Sequence, residues 1–377
     1  MITPEMRQSC ADFTAAIIKK LKRKMPLGLK KAENLDFIPY TVENNAWKAA
    51  KFDGISWWTN GFWPAEMWAM CRLTNDAMYK KEAVRAENML DDAFRDFDHL
   101  HHDVGFMWLI SSGADFKMTG DDTSRKRTLL AANLLAGRFN PAGFIRAWNH
   151  DHIGWTIIDC MMNLNLLYWA SEYTKDPRFA KIAMAHADTV MKYFFREDGS
   201  CHHIVSFDPE TLDVIEYPRG QGYASGSAWS RGQSWALYGF ALSYRHTGKQ
   251  AYLDTARKSA AYFIEHTRED WIPRCDFCQP ENENLKDAAA GAIAASGLLE
   301  LARLTEGDEA QTYFDAAIHM LKALDAHCSD WSDAYPAILN KCTGSYHNTD
   351  HHIAMNYADF FFIEAILKLN GDTFSFW

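Results

Sequence analysis

The chain has 377 residues, with 49 acidic against 39 basic side chains and a formal net charge of -10. This balance argues against nucleic acid as a partner, and it means that an anionic ligand must be bound by a few local donors. The length exceeds that of a usual single core, which indicates either two domains or one large toroid or barrel.

Residues 1–27 at the N-terminus contain no uninterrupted apolar region, and no later stretch has the length of a membrane span. We therefore expect no membrane association and a cytoplasmic protein, or a periplasmic or secreted one if a signal peptide has been removed. The chain contains 14 Trp residues, enough both to fill a wide interior and to line a sugar-binding cleft.

Short polar breaks separate apolar-periodic segments that are typical of helices. They lie at residues 73–76, 118–121, 173–176, 246–249, 304–308 and 369–372. Segments 235–244 and 290–301, which precede two breaks, are apolar nearly all round, whereas segments 183–193 and 256–264, which follow breaks, have a polar face. Inner and outer helices joined by short turns predict an all-α fold, an (α/α)6 barrel of six hairpins, as one catalytic domain over residues 1–377.

An open helical-repeat scaffold is the alternative to a closed barrel. Solenoids keep tight periods, whereas the spacing of these breaks is unequal and long irregular segments separate the units. The irregular segments are 55–63, 100–108, 143–159, 199–233 and 341–357. We expect functional residues in them, because loops held by a rigid scaffold commonly carry chemistry.

The first candidate site is the run of His101, His102 and Asp103. Adjacent histidines point apart on a helix or strand, so at most one of them could join Asp103 on a metal ion. A carboxylate held by a neighbouring imidazole is therefore favoured. The close pair Cys275 and Cys278 lacks the second pair of ligands that a zinc site needs, so we predict no metal.

The second candidate is Asp159, in a segment that enters a helix predicted to continue to Ala170. The residues around Asp159 are apolar on almost every face of this helix. A carboxyl group there loses hydration that stabilises its charged form, which suits a general acid working near neutral pH. Alternatively, Asp159 caps the helix N-terminus, although Thr156 offers a cap three residues earlier.

The third candidate is Arg231, which Trp229 and Trp235 flank in sequence. Its guanidinium presents a fixed fork of donors that suits an anionic or polyhydroxyl ligand. An ion pair with a structural carboxylate is nearly as well supported by the sequence.

Five motifs together resemble those of the unsaturated glucuronyl hydrolases, glycoside hydrolase family 88. They are W-T-N-G-F-W at 58–63, H-H-D-V-G-F at 101–106, I-R-A-W at 145–148, I-I-D-C-M-M-N-L at 157–164 and W-S-R-G-Q-S-W-A-L-Y-G-F-A at 229–241. The resemblance spans most of the chain and implies an (α/α)6 barrel without a cofactor. It also implies action on unsaturated uronyl oligosaccharides that lyases release from chondroitin, hyaluronan, gellan or xanthan.

The resemblance also implies roles for individual residues. Asp159 matches the family's general acid/base, and Asp103 matches its partner carboxylate. The residues expected to bind substrate, among which we include Trp235 as a neighbour of Arg231, are Trp58, His102, Trp148, His203, Gln221, Trp229, Arg231 and Trp235. The chain departs from the family at Asn60, where aspartate is frequent, and at Gly220, where some members have histidine.

Three other functions are compatible with this barrel. An unsaturated rhamnogalacturonyl hydrolase shares the fold and chemistry, although the H-H-D-V-G-F motif favours the glucuronyl group. A non-catalytic carbohydrate-binding toroid would not need both Asp103 and Asp159. A sugar epimerase would need two facing catalytic histidines, which the sequence does not place.

The loop at residues 341–352 bears on the choice of substrate. It offers Lys341 at its edge, histidines that are mostly neutral at pH 7, and Asp350. Because a sulfate group needs fixed positive donors, we expect a preference for unsulfated or lightly sulfated disaccharides.

Overall fold

The computed structural model describes residues 2–51, 54–149 and 151–377; His150, within the irregular segment 143–159, is outside this part. The helices are α1 (Pro4–Ser9), α2 (Ala11–Ala32), α3 (Phe62–Thr74), α4 (Ala77–Arg95), α5 (Val104–Trp108), α6 (Ser112–Thr119), α7 (Asp122–Ala136), α8 (Cys160–Thr174), α9 (Pro177–Tyr193), α10 (Ser230–Thr247), α11 (Gln250–Thr267), α12 (Ala288–Leu304), α13 (Gly307–His327) and α14 (Asn356–Leu369). The strands are β1 (Thr41–Glu43), β2 (Ala46–Lys48), β3 (Phe139–Asn140), β4 (Phe144–Ile145), β5 (Trp155–Ile157), β6 (Ile204–Phe207) and β7 (Val214–Glu216).

An inner ring of helices closes on itself. It runs through α3, the pair α5 and α6, α8, α10, α12 and α14, and α14 packs against α3. Each inner helix has an outer partner: α4, α7, α9, α11 and α13 follow in sequence, whereas α14 packs on α2 from the N-terminal part of the chain. This arrangement confirms the predicted (α/α)6 barrel. The sequence pattern gave no indication that α2 completes the sixth hairpin.

The polar breaks work as paired helix stops and starts. Thr74 and Thr174 each donate a hydroxyl hydrogen bond to the carbonyl four residues earlier, at the end of an inner helix. Two residues later, Asp76 and Asp176 accept a backbone N–H in the first turn of the outer helix. Carboxylates at this position satisfy N–H groups that have no partner within the helix. The Thr-x-Asp signal therefore marks the hairpin turns at residues 74–76 and 174–176.

The segment before α8 differs from the prediction. Residues 155–157 form strand β5, which pairs with β6 and places Ile157 opposite Ile204. The helix begins only at Cys160, and Thr156 is buried in the strand, so the predicted cap at Thr156 is wrong. Pairing with β6 satisfies the backbone of this β-branched run, which the helical pattern alone could not reveal.

The two ends of the ring are built differently. Irregular segments before α3, α5, α8, α10 and α14 gather at the N-terminal end of the inner helices. Residues 372–377 follow α14 and bond to the C-terminal halves of inner helices, for example through Arg72 to Asp372 and Arg245 to the Trp377 carbonyl. In the described part of the chain, no helix is both long and apolar enough to cross a membrane.

Candidate active site

A cavity of about 520 Å³ opens at the N-terminal end of the inner helices. Seven of the ten predicted site residues line it, namely Trp58, His102, Asp103, Trp148, Asp159, Gln221 and Arg231. They come from four of the five predicted irregular segments, 55–63, 100–108, 143–159 and 199–233. The barrel therefore brings together residues that are up to 173 positions apart in sequence, from Trp58 to Arg231.

His203, Trp229 and Trp235 do not line the cavity. His203 lies behind Asp159, and its ring packs on Trp229 with the centroids 4.2 Å apart. Trp235 is fully buried and packs on Phe106 inside the barrel. This corrects the direct substrate contact predicted for Trp235: it lies one turn into α10, where its side chain reaches the core instead of the cavity.

Asp103 and His102 form a close pair. Oδ1 of Asp103 lies 3.1 Å from Nε2 of His102, and both side chains are largely buried. Nδ1 of His102 lies 3.2 Å from the carbonyl oxygen of Ala147, to which it donates. Burial lowers the pKa of His102, but the nearby charge of Asp103 and the hydrogen bond that His102 donates to it outweigh burial, so the pKa is raised overall.

Asp159 stands at the N-terminal end of α8, yet its side chain caps no helix N–H. Among the described residues, its buried Oδ1 has no hydrogen-bond partner, and Nε2 of His203 lies 3.6 Å away. The backbone N–H of Gln221 donates to Nδ1 of His203. A neutral His203 must therefore carry its proton on Nε2, facing Asp159.

Arg231 is engaged by a structural partner. Its guanidinium donates to the carboxylate of Asp287, which is fully buried, and to the carbonyl oxygens of Thr343 and Gly344. The ring of Trp229 lies 4.5 Å from the guanidinium carbon. Both sequence interpretations of Arg231 therefore have a basis, because it forms an ion pair and also lines the cavity.

Arg138 and His186 hold the segments that carry site residues, and neither was predicted from the sequence. Arg138 donates to the carbonyl oxygens of Leu100, Ala147 and Trp148, which ties together the segments that carry His102 and Trp148. Burial lowers the pKa of Arg138 to about 10, so it stays charged at neutral pH. Burial also lowers the pKa of His186 to about 3, which keeps it a neutral acceptor for the N–H of Ile145.

Residues 40–51 form a further wall of the cavity that was not predicted from the sequence. The hairpin of β1 and β2 and the residues beside it contribute Tyr40, Thr41, Val42, Glu43, Ala49, Ala50 and Lys51. These strands are only three residues long and carry no recognisable motif, so no sequence signal marks them. Arg219 also lines the cavity and is exposed, whereas Lys341 from the predicted loop does not line it.

Among the described residues, one group of side chains has metal-binding geometry, namely Asp96, Asp98 and His99. It is exposed and outside the cavity lining. Exposed acidic groups commonly have this geometry without an ion, so this group does not by itself indicate a metal site.

Known proteins resemble the chain over most of its length. It is 36% identical over 333 residues to the unsaturated glucuronyl hydrolase of Bacillus sp. (strain GL1), covering 85% of this chain and 88% of the relative. It is 31% identical to the unsaturated chondroitin disaccharide hydrolase of Streptococcus pyogenes serotype M1, covering 85% and 83%. No protein-family model matches the chain.

Solved structures of unsaturated glucuronyl hydrolases are also similar to the chain. The crystal structure of unsaturated glucuronyl hydrolase from Bacillus sp. GL1 superposes with a TM-score of 0.87 at 32% identity, covering 93% of this chain and 96% of that one. An unsaturated glucuronyl hydrolase specific for heparin also has a TM-score of 0.87 at 32% identity, covering 94% and 96%. The fold and its carboxylate-lined cavity thus define a glycosidase built on an (α/α)6 barrel. Within that class, the chain belongs to the unsaturated glucuronyl hydrolase family.

Proposed function

We propose that the protein removes the nonreducing-end 4,5-unsaturated uronic acid from lyase-generated oligosaccharides, with Asp159 as general acid/base. One observation carries the assignment: Oδ1 of Asp159 is buried beside the cavity without a hydrogen-bond partner among the described residues. Buried polar atoms are normally paired, so an unpaired one in a cavity indicates a place for a ligand group.

The substrate's vinyl ether between C4 and C5 allows a route that ordinary glycosidases lack. They place two carboxyl groups across the scissile bond and act at the anomeric carbon. Here, a proton delivered to C4 builds oxocarbenium character at C5, where water adds. The resulting hemiketal opens and releases the remaining saccharide without displacement at C1.

One carboxyl group can serve both proton transfers in this route. Asp159 gives its proton to C4 and then takes a proton from the water that attacks C5. The Nε2–H of a neutral His203 faces the Asp159 carboxylate, with 3.6 Å between Nε2 and Oδ1. Asp103 and His102 hold the sugar hydroxyl groups and orient the ring against Asp159.

An anionic substrate suits this end of the barrel even though the net charge of the chain is -10. Inner helices point their N-terminal ends at the cavity, where backbone dipoles leave partial positive charge. Trp58 and Trp148 supply flat apolar surfaces for a sugar ring. We propose substrates of the glycosaminoglycan type, because relatives include unsaturated chondroitin disaccharide hydrolases. Substrates of the gellan and xanthan type, which the family resemblance implies, are proposed as well.

A panel of lyase-generated unsaturated disaccharides tests this function. The absorbance of the conjugated double bond should fall with glucuronyl-type substrates, whereas the saturated counterparts should remain intact. Turnover only of unsaturated rhamnogalacturonyl substrates would assign the chain to that activity instead. Binding without any turnover would make it a carbohydrate-binding toroid. Within the panel, the ratio of kcat/KM for unsulfated and 6-sulfated chondroitin disaccharides tests the expected preference for unsulfated substrate.

A further inference from the structure

Asp103 and Asp159 share an unusual position in the barrel. Each is the residue immediately before a helix, α5 for Asp103 and α8 for Asp159, and neither side chain bonds a helix N–H. An aspartate in this position ordinarily accepts the N–H of the second or third helical residue. Some other group must therefore keep Asp103 from folding back onto its own helix.

That group is the side chain of Asn163, one turn into α8. Its Oδ1 accepts the backbone N–H of Phe106, the third residue of α5, at 2.8 Å. This N–H is the donor that a capping Asp103 would use. Asn163 thus occupies the cap, and the carboxylate of Asp103 is left to face the cavity.

The amide nitrogen of Asn163 connects the same residue to both carboxylate segments. Nδ2 lies 3.5 Å from Oδ1 of Asp103 and donates to the backbone carbonyl of Asp159 at 3.3 Å. The side chain of Asn163 is fully buried. A Cβ atom on Gly105 would lie 2.6 Å from Oδ1 of Asn163, so glycine is required at 105 for this close approach.

We infer that Asn163 is a positioning residue that caps α5 in place of Asp103 and holds Asp103 and Asp159 in fixed relation across the cavity. The inference rests on the proposed function, in which these two carboxylates act on one sugar ring. A neutral amide is suited to this place because it supplies an acceptor to Phe106 and a donor to Asp103 at once.

Replacing Asn163 with aspartate separates these two tasks. Asn163→Asp keeps an acceptor for the Phe106 N–H, loses the donor, and adds a third negative charge near Asp103 and Asp159. Among the described residues, the other charged or titratable groups that interact with the two carboxylates include His102, His203, Arg138, Cys160, Cys201 and Arg231. The added charge disfavours ionisation of its neighbours, so the acid limb of the rate profile should move to higher pH.

The experiment compares Asn163→Asp and Asn163→Ala with Asn165→Ala. Asn165 is a matched control because it is buried in the same helix and, among the described residues, its amide donates only to the Met162 carbonyl. Both Asn163 variants should lose roughly 10- to 100-fold in kcat while KM changes less, the scale of a catalytic group misplaced by about 1 Å. The acid limb should move up only in Asn163→Asp. Asn165→Ala should lower the melting temperature without moving the pH profile.

Two results would overturn the inference. One is wild-type kcat and pH profile in Asn163→Asp, and the other is a loss of melting temperature as the only effect of both Asn163 variants. Absence of turnover by the wild type would instead defeat the proposed function. The inference is then decided by carbon NMR titration of the aspartate carboxyl groups. Higher midpoints for Asp103 and Asp159 in Asn163→Asp support it, and unchanged midpoints reject it.

Discussion

The proton between His102 and Asp103 governs the behaviour of this pair. Nδ1 of His102 is committed to the Ala147 carbonyl, so a neutral His102 would present a bare Nε2 to the carboxylate of Asp103. Two acceptors 3.1 Å apart repel each other, so the pair retains a proton. The raised pKa of His102 also indicates a retained proton, because the imidazolium persists to higher pH than usual.

Asp103→Asn should be severely impaired, by about 100-fold or more in kcat, while substrate still binds. Removing the charge that raises the pKa of His102 should lower that pKa, so the imidazolium is lost at lower pH. The alkaline limb of kcat/KM should therefore shift to lower pH. Calorimetric titration checks binding, and a rate profile checks the limb. Loss of both binding and folding would instead make Asp103 structural.

Sequence reasoning located the acidic residues of the cavity but not the groups that fix them. Asp103 and Asp159 stand out because carboxylates are rare in apolar runs. Asn163 lies in a motif that the sequence displays, yet its role depends on Phe106, 57 residues away. Arg231 likewise pairs with Asp287, 56 residues later, and no local pattern predicts that contact.

At the scale of elements, the loop between β7 and α10 packs closely against His203, beside Asp159. Gly220 has φ +62°, and a Cβ atom there would lie 2.0 Å from Nδ1 of His203. The next residue, Gln221, donates its N–H to the same nitrogen. The glycine thus lets the loop approach His203 closely enough to fix its ring against Asp159.

Gly220→Ala should displace His203 and lower kcat/KM by roughly tenfold or more. The matched control is Gly226→Ala in the same loop, where φ is +76° but no atom lies within 4 Å of the added carbon. Both variants bear the same type of backbone strain, about 1–3 kcal/mol, so their difference isolates the clash with His203. Equal activity of the two variants would contradict this account of the loop.

The sequence predicted the elements whose ends are set by neighbouring side chains. It missed the elements that form only by contact with residues far away in the sequence. The breaks at residues 73–76 and 173–176 were found because Thr and Asp side chains bond the helix ends beside them. Strand β5 was missed because its partner β6 lies about 50 residues later. The outer role of α2 depends on contact with α14, at the other end of the chain.

On the scale of the whole molecule, residues 372–377 close the end of the ring that lies away from the cavity. The ring of Trp377 stacks on Phe361, and its Nε1 donates to the carboxylate of Glu364 at 2.9 Å. Lys117 donates to the carbonyls of Ser375 and Phe376. These contacts fill this end of the barrel interior with side chains.

Trp377→Ala should lower the free energy of unfolding by about 3–5 kcal/mol, as expected when a large buried aromatic ring is removed. Glu364 also loses a donor in a buried setting, which adds to the cost. Urea denaturation measures the change, and Trp377→Phe should lie between the wild type and the alanine variant. A loss below about 1 kcal/mol would show that the closing segment contributes little to the fold.

The account as a whole depends on Asp159 as the group that protonates C4. The most direct measurement is the loss of absorbance of an unsaturated disaccharide with wild type, Asp159→Asn and, as a buried-aspartate control outside the cavity, Asp115→Asn. Asp159→Asn keeps the shape but removes the titratable proton, so turnover should fall by several orders of magnitude, while folded Asp115→Asn stays active. More than about a tenth of wild-type activity in Asp159→Asn would contradict the assignment.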